Sequence, residues 1–148
     1  MSNQETPNCN TVDSGAGPKY YVKASILGES VRMLLDTGSQ VTIVTESQCS
    51  PEILAQLAPA PVSVTAYNGS AIDIKGVFKT DIIIDDITIK ETPIYVTGNN
   101  FKPILGTPAL EGIVLDFTER KIRSKGKCCP VYLSSECLDT QNYNLKAL

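Results

Sequence analysis

From residue 19 onward the chain alternates apolar and polar positions with the period of two expected of half-buried strands, broken at short intervals by turn residues. Tyr20-Tyr21-Val22-Lys23-Ala24-Ser25-Ile26-Leu27 is rich in β-branched and aromatic residues, and Gly28-Glu29 turns it into a second run, Val31-Arg32-Met33-Leu34-Leu35. Further strands are predicted over 41–44, 62–66, 77–84, 87–91, 94–96, 113–117 and 122–124, with Asp85-Asp86 as a turn. Two short helices interrupt them. Ser50 caps one that opens on Pro51 and Glu52 and is stopped by Pro59 and Pro61; Thr107 caps another that begins at Pro108 and closes at Gly112. The pattern therefore predicts an all-β fold with one or two short helices.

Three breaks in this pattern carry candidate chemistry. The apolar run ending at Leu35 drives straight into Asp36-Thr37-Gly38-Ser39, which sets a carboxylate at a strand end in a tight turn. Taken alone, Asp36 is equally a turn residue accepting backbone hydrogen bonds. Asn68-Gly69 lies between two alternating segments, the signature of a hairpin with a type I′ turn, either an ordinary surface hairpin or one that closes over a ligand. Ile104-Leu105-Gly106 brings a small residue to a place where two backbones can approach closely.

Composition narrows the chemistry. With 148 residues and 42% apolar content the chain has one domain's worth of core. A net charge of −3 without a basic cluster offers no footprint for nucleic acid, and no run approaches a membrane span or a signal peptide. The absence of histidine excludes His-based triads and argues against zinc, so neither metal nor cofactor is expected. Five cysteines, of which Cys49 is the one in the core region, point to reduced thiols rather than a disulfide framework; Cys128-Cys129 and Cys137 match no zinc spacing.

Leu34-Leu35-Asp36-Thr37-Gly38-Ser39, the Asn68-Gly69 hairpin and Ile104-Leu105-Gly106, in that order, resemble the aspartic peptidases. The chain length points within them to the retropepsins of retroviral type, over residues 19–125, and Ala66-Tyr67-Asn68-Gly69-Ser70, followed by an Ile and a Gly, looks most like the gypsy-type retrotransposon peptidases. The resemblance implies a closed β-barrel or sandwich with a flap hairpin, between an N-terminal arm over 1–18 and a tail or linker over 126–148. Asp13-Ser14-Gly15 in the arm lies too close to Asp36 to supply a second lobe. The pair of carboxylates such chemistry needs must then come from Asp36 of two copies, so a homodimer is implied, with a polypeptide as substrate. Asp36, Thr37 and Gly38 are the implied catalytic loop, Thr37 bonding across the two-fold axis. Ser39, Val41, Asn68, Gly69, Ile72, Ile74 and Ile104 are the implied substrate contacts, several of them equally suited to the core. A Ser39 hydroxyl donating to the carboxylate would favour its charged form and an acidic optimum. Thr107-Pro108 departs from the charged or Asn residue of many relatives, which puts the usual polar links to the catalytic loop in question. The role implied is processing of a Gag-Pol-type polyprotein, in the cytoplasm or within virus-like particles. The alternatives are a cellular retropepsin-like protease and an inactive dimeric β-module that binds peptides or partner proteins.

Overall fold

The structure is a computed structural model that describes residues 8–9, 19–66 and 68–133. Its elements run β1 (Asn8–Cys9), β2 (Tyr20–Ile26), β3 (Glu29–Leu35), β4 (Thr42–Thr45), a 3-10 turn (Glu46–Gln48), α1 (Pro51–Ala55), β5 (Thr65–Ala66), β6 (Ile74–Ile84) and β7 (Ile87–Thr97). Then follow β8 (Ile104–Leu105), α2 (Thr107–Leu110), β9 (Val114–Asp116), β10 (Lys121–Ser124), β11 (Lys127–Pro130) and β12 (Tyr132–Leu133). Seven strands pair in the order β12-β2-β3-β8-β4-β7-β6, and a further pairing of β2 with β6 closes the sheet on itself. β12 and β6 share one edge of β2, at Tyr20 and Tyr21 and at Ser25 and Ile26 respectively. Closure removes the free edges that an open sheet would expose.

Alternation sorts the side chains between two faces. Val31 and Met33 of β3, Val44 of β4, Ile94 and Val96 of β7 and Leu105 of β8 enter the main core. Their neighbours Leu34, Ile43, Tyr95 and Ile104 belong to a second cluster. This is the period of two at work: consecutive residues of one strand serve opposite faces. Both faces are apolar, so these central strands read as continuous hydrophobic runs.

The helices follow their signals. The Ser50 hydroxyl accepts from Ile53 N at 3.3 Å, and Pro51 opens α1 as expected. The segment from 87 to 97 is one strand rather than two. Pro93 has no N–H to donate, and the ribbon accommodates it beside a register shift between Thr80 and Ile82 and a positive φ of 49° at Glu91, whose N–H is taken up by Asp81 Oδ1 at 2.9 Å.

The larger difference lies past Lys125, where a tail or linker was expected over 126–148. Lys125 and Gly126 both take positive φ, 51° and 81°, a tight turn that sends β11 back along β10. Cys129 and Val131 are then buried, and the Cys129 thiol donates to Ile84 O at 2.8 Å. Residues 134–148, with Cys137, lie outside the described residues. In the expected arm, Asn8–Cys9 pairs in parallel with β5, and Asp13-Ser14-Gly15 lies outside the described residues. No helix among the described residues is long and apolar enough to cross a membrane.

Cys49, Cys128 and Cys129 are free thiols. Burial first, and the nearby negative charge of Glu46 second, push the Cys49 thiol from its ordinary 9.0 up to about 11. The folded chain holds this proton more tightly than the unfolded one, so this group favours unfolding as pH rises from about 9 through about 11. Because the thiolate is the species that reacts, iodoacetamide at pH 8.5 is expected to label Cys49 about 10- to 100-fold more slowly in the native protein than in the urea-unfolded chain. Peptide mapping of the label checks this, and equal rates in the two states would contradict it.

Candidate active site

β8 is inserted between β3 and β4. Leu34 and Leu35 pair in parallel with Ile104 and Leu105, while Ile43 pairs antiparallel with Ile104. The loop joining β3 to β4 must therefore arch over the chain leaving β8. Leu34 N donates to Pro103 O at 3.0 Å and Asp36 N to Leu105 O at 3.1 Å, so the residue bearing the carboxylate is itself pinned to β8.

Gly106 marks the crossing. Its backbone is extended (φ −94°, ψ 178°), so glycine is not required for conformation. It is required for space: a Cβ there would run into Val41 O, and would lie 2.7 Å from Val41 C and 2.9 Å from Ser39 O. The close backbone approach expected at Gly106 is thus present. Polar contacts lock it, with Gly106 N donating to Thr42 Oγ1 at 3.1 Å and Thr107 donating to Ser39 O twice, from N at 2.8 Å and from Oγ1 at 3.2 Å. Thr107 is the first residue of α2 rather than its cap, a position taken by Gly106. Its hydroxyl instead supplies the link to the loop that Thr107-Pro108 had put in question.

Within the loop, Ser39 N donates to Asp36 O at 3.0 Å, closing the turn, and Gly38 N donates to Asp36 Oδ1 at 2.9 Å, which orients the carboxylate. Asp36 is buried, with 9% exposure, whereas Thr37 and Gly38 next to it are exposed. Ser39 departs from expectation. It is fully buried, and its hydroxyl donates to Val41 O at 2.7 Å, so its one proton serves the loop rather than the Asp36 carboxylate.

The hairpin stands where the sequence put it, with different turn chemistry. Ala66 N donates to Ser70 O at 2.8 Å and Gly69 N to Ala66 O at 2.9 Å, and Gly69 takes a positive φ of 91° that Asn68 does not share. Asn68 needs no such conformation here. Its Oδ1 accepts from Ser70 N at 3.0 Å and Ser70 Oγ at 2.7 Å, stiffening the tip, and both Asn68 and Gly69 are exposed. Below the tip, Val64 and Ile72 pack with Val41, Ile43, Tyr95 and Ile104, so the hairpin covers the same sheet face that Leu34 joins.

That packing alters the reading of the expected pocket walls. Val41, Ile72 and Ile104 are 6%, 6% and 0% exposed, and are core residues under the hairpin; Ile74 is half-buried. One recess on this face, of about 370 Å³, is lined by Ala60, Pro61, Val62, Ser63, Val64 and Ala71 with two of the expected wall residues, Ile72 and Ile74; another, of about 150 Å³, is lined by Lys19, Tyr21, Leu34, Asn100, Phe101, Lys102 and Ile104. Sequence reasoning missed these residues apart from Ile72, Ile74 and Ile104. The signal available for the second recess was Phe101, an aromatic side chain in an otherwise polar loop.

A family described as "gag-polyprotein putative aspartyl protease" matches residues 22–112, a span that contains the Asp36 loop, the hairpin and Gly106. Among solved structures, the retroviral protease-like domain of Ddi1 from Leishmania major is similar with a TM-score of 0.62 at 17% identity, covering 80% of this chain and 96% of that one. A retropepsin-like aspartic protease from Rickettsia conorii aligns with a TM-score of 0.44 at 17% identity, over 73% of this chain and 81% of that one. The first likeness is one of fold, in agreement with the all-β reading of the strand pattern and with the retropepsin-like fold that the resemblance implies.

Replacing Gly106 by Ala is expected to destabilise the protein by about 2 kcal/mol or more, because the obstructing atoms are backbone and cannot swing aside. Thermal or urea unfolding of Gly106→Ala measures it, and stability within about 0.5 kcal/mol of wild type would contradict the crossing as described.

Proposed function

Since the chain belongs to the gag-polyprotein aspartyl protease family, we propose that it is an aspartic endopeptidase whose active site forms between two copies of the chain, each contributing Asp36. The observation that carries this reading is the Asp36 loop, with its carboxylate oriented by Gly38 N, anchored on β8, and flanked by the exposed Thr37 and Gly38. A single carboxylate cannot act at once as general base and general acid. Two, about 3 Å apart and sharing one proton, can do both, because like charges at that distance do not both ionise.

In the paired site the ionised member takes a proton from a water as the water oxygen attacks the scissile carbonyl carbon. The protonated member shares its hydrogen with the carbonyl oxygen. Collapse of the tetrahedral intermediate breaks the C–N bond and returns a proton to the leaving nitrogen. Consumption of one water balances the step, and no covalent enzyme intermediate forms. Thr37, exposed at the loop's tip, faces the mate's loop and holds the two together, and Gly38 leaves room for the substrate backbone. The hairpin tip at Asn68 and Gly69 closes over the bound peptide and excludes water from the reacting carbonyl. Polyprotein processing is the role proposed for this activity, with an extended polypeptide as substrate.

The test is cleavage of a diverse peptide pool near pH 5 over a range of protein concentrations, with Asp36→Asn alongside. Cuts by wild type that rise more steeply than linearly with concentration and fall at least about 1000-fold in the mutant are expected, the loss typical of removing an essential catalytic group. Cutting by a folded Asp36→Asn protein at the wild-type rate would contradict the reading, and no cutting by either at any concentration would favour a peptide-binding module instead.

A further inference from the structure

The first strand of the hairpin is paired on both of its edges. Toward the return strand, Ala66 N donates to Ser70 O at 2.8 Å and Val64 O accepts from Ile72 N at 2.9 Å. Backbone groups alternate in direction along a strand, so those of Thr65, between these two residues, face the outer edge. There the chain's own N-terminal arm is seated: β1 lies parallel to β5, with Asn8 opposite Thr65 and Cys9 opposite Ala66.

The arm joins the barrel on the face that the hairpin covers. Lys19, ten positions after Cys9, lines the recess of about 150 Å³ with Leu34 and Ile104, and Leu34 stands two positions before Asp36. Ten residue steps reach at most about 35 Å. One end of this tether is thus on the hairpin and the other is beside the strand that carries the carboxylate. A peptide held for hydrolysis lies between the same two elements, and an extended backbone binds there by adding itself to a strand edge. Arm and substrate therefore compete for the edge at Thr65 and Ala66. The arm is covalently attached, so it acts at a local concentration on the order of millimolar.

We propose that the N-terminal arm is an intramolecular competitor of the substrate, seated on the β5 edge until a peptide displaces it. The inference rests on the peptidase reading and adds to it a regulatory segment of the chain itself. A pairing of two residues on each strand is short enough to be displaced. It lowers the apparent affinity for peptides by the fraction of chains whose edge is open, and leaves the chemical step unchanged.

The test compares the full chain with its double variant Asn8→Pro and Cys9→Pro. Proline has no N–H for a ladder, and β1 takes part in none of the barrel's pairings. Rates are taken at a protein concentration where activity per chain no longer rises. KM for a cleaved peptide is expected to fall about fivefold in the variant with kcat unchanged. Amide hydrogen exchange over residues 62–66 is expected to quicken, and a synthetic peptide of residues 1–18 added to the variant is expected to inhibit competitively. An unchanged KM, unchanged exchange, or no inhibition by the added peptide overturns the inference and leaves the peptidase reading standing. Release of the arm by wild type but not by Asp36→Asn would make it a substrate, and overturns the competitor role. If neither protein cuts any peptide, that result counts against hydrolysis alone, and hydrogen exchange with binding of a fluorescent peptide decides the arm. Binding about fivefold tighter to the variant sustains the inference. Equal binding overturns it.

Discussion

Everything that distinguishes this barrel from a generic closed sheet depends on one crossing, where the chain leaving β8 passes beneath the loop from β3 to β4 with no room for a side chain. Gly106 lies against the backbones of Val41 and Ser39. Around it Asp36 N, Gly106 N and both donors of Thr107 are committed to partners across the crossing. A buried backbone donor left without an acceptor is costly, so these bonds act together to give the loop a single conformation. The carboxylate at its apex is therefore positioned by the barrel rather than by the loop. That is the condition a catalytic acid or base must meet, since small displacements of a reacting group are expensive.

The second organising feature is a sheet that is apolar on both faces. One face closes the barrel core around Met33, Leu105 and Val96; the other carries Ile43, Ile104 and Tyr95. The hairpin from Val64 to Ile72 exists to cover that second face, and covers it incompletely. Its root is anchored by Val64 and Ile72, both buried, while its tip at Asn68 and Gly69 stands in solvent. Where its cover ends, Leu34 and Phe101 are left half-buried around the recess. A recess thus arises as the uncovered remainder of a face that needed burying.

How far the sequence foretold this follows from the range of each interaction. The Asp36 turn, the hairpin at Gly69, the Ser50 cap and the small residue at Gly106 are local signals, each carried within a few residues, and all stand in the structure at the positions expected. Signals that depend on distant partners were not legible. The partner of the Ser39 hydroxyl is set by the path of the loop over β8. The burial of Ile104 and Val41 depends on which face the hairpin covers. The recess draws Lys19 and Tyr21, Leu34, and Asn100 to Lys102 from three separated stretches. β11 escaped because the turn before it needs a positive φ at Lys125, against that residue's propensity, and β12 because two residues carry no periodicity to read.

The central claim is that one working site needs Asp36 from two copies, and subunit mixing tests it most directly. Wild type and Asp36→Asn would be combined at fixed total concentration and allowed to exchange before peptide cleavage is timed. With random pairing and a site that needs both carboxylates, activity falls as the square of the wild-type fraction, so an equal mixture retains about one quarter. Retention of about one half, in proportion to wild type alone, would mean that each chain works by itself and would contradict the account.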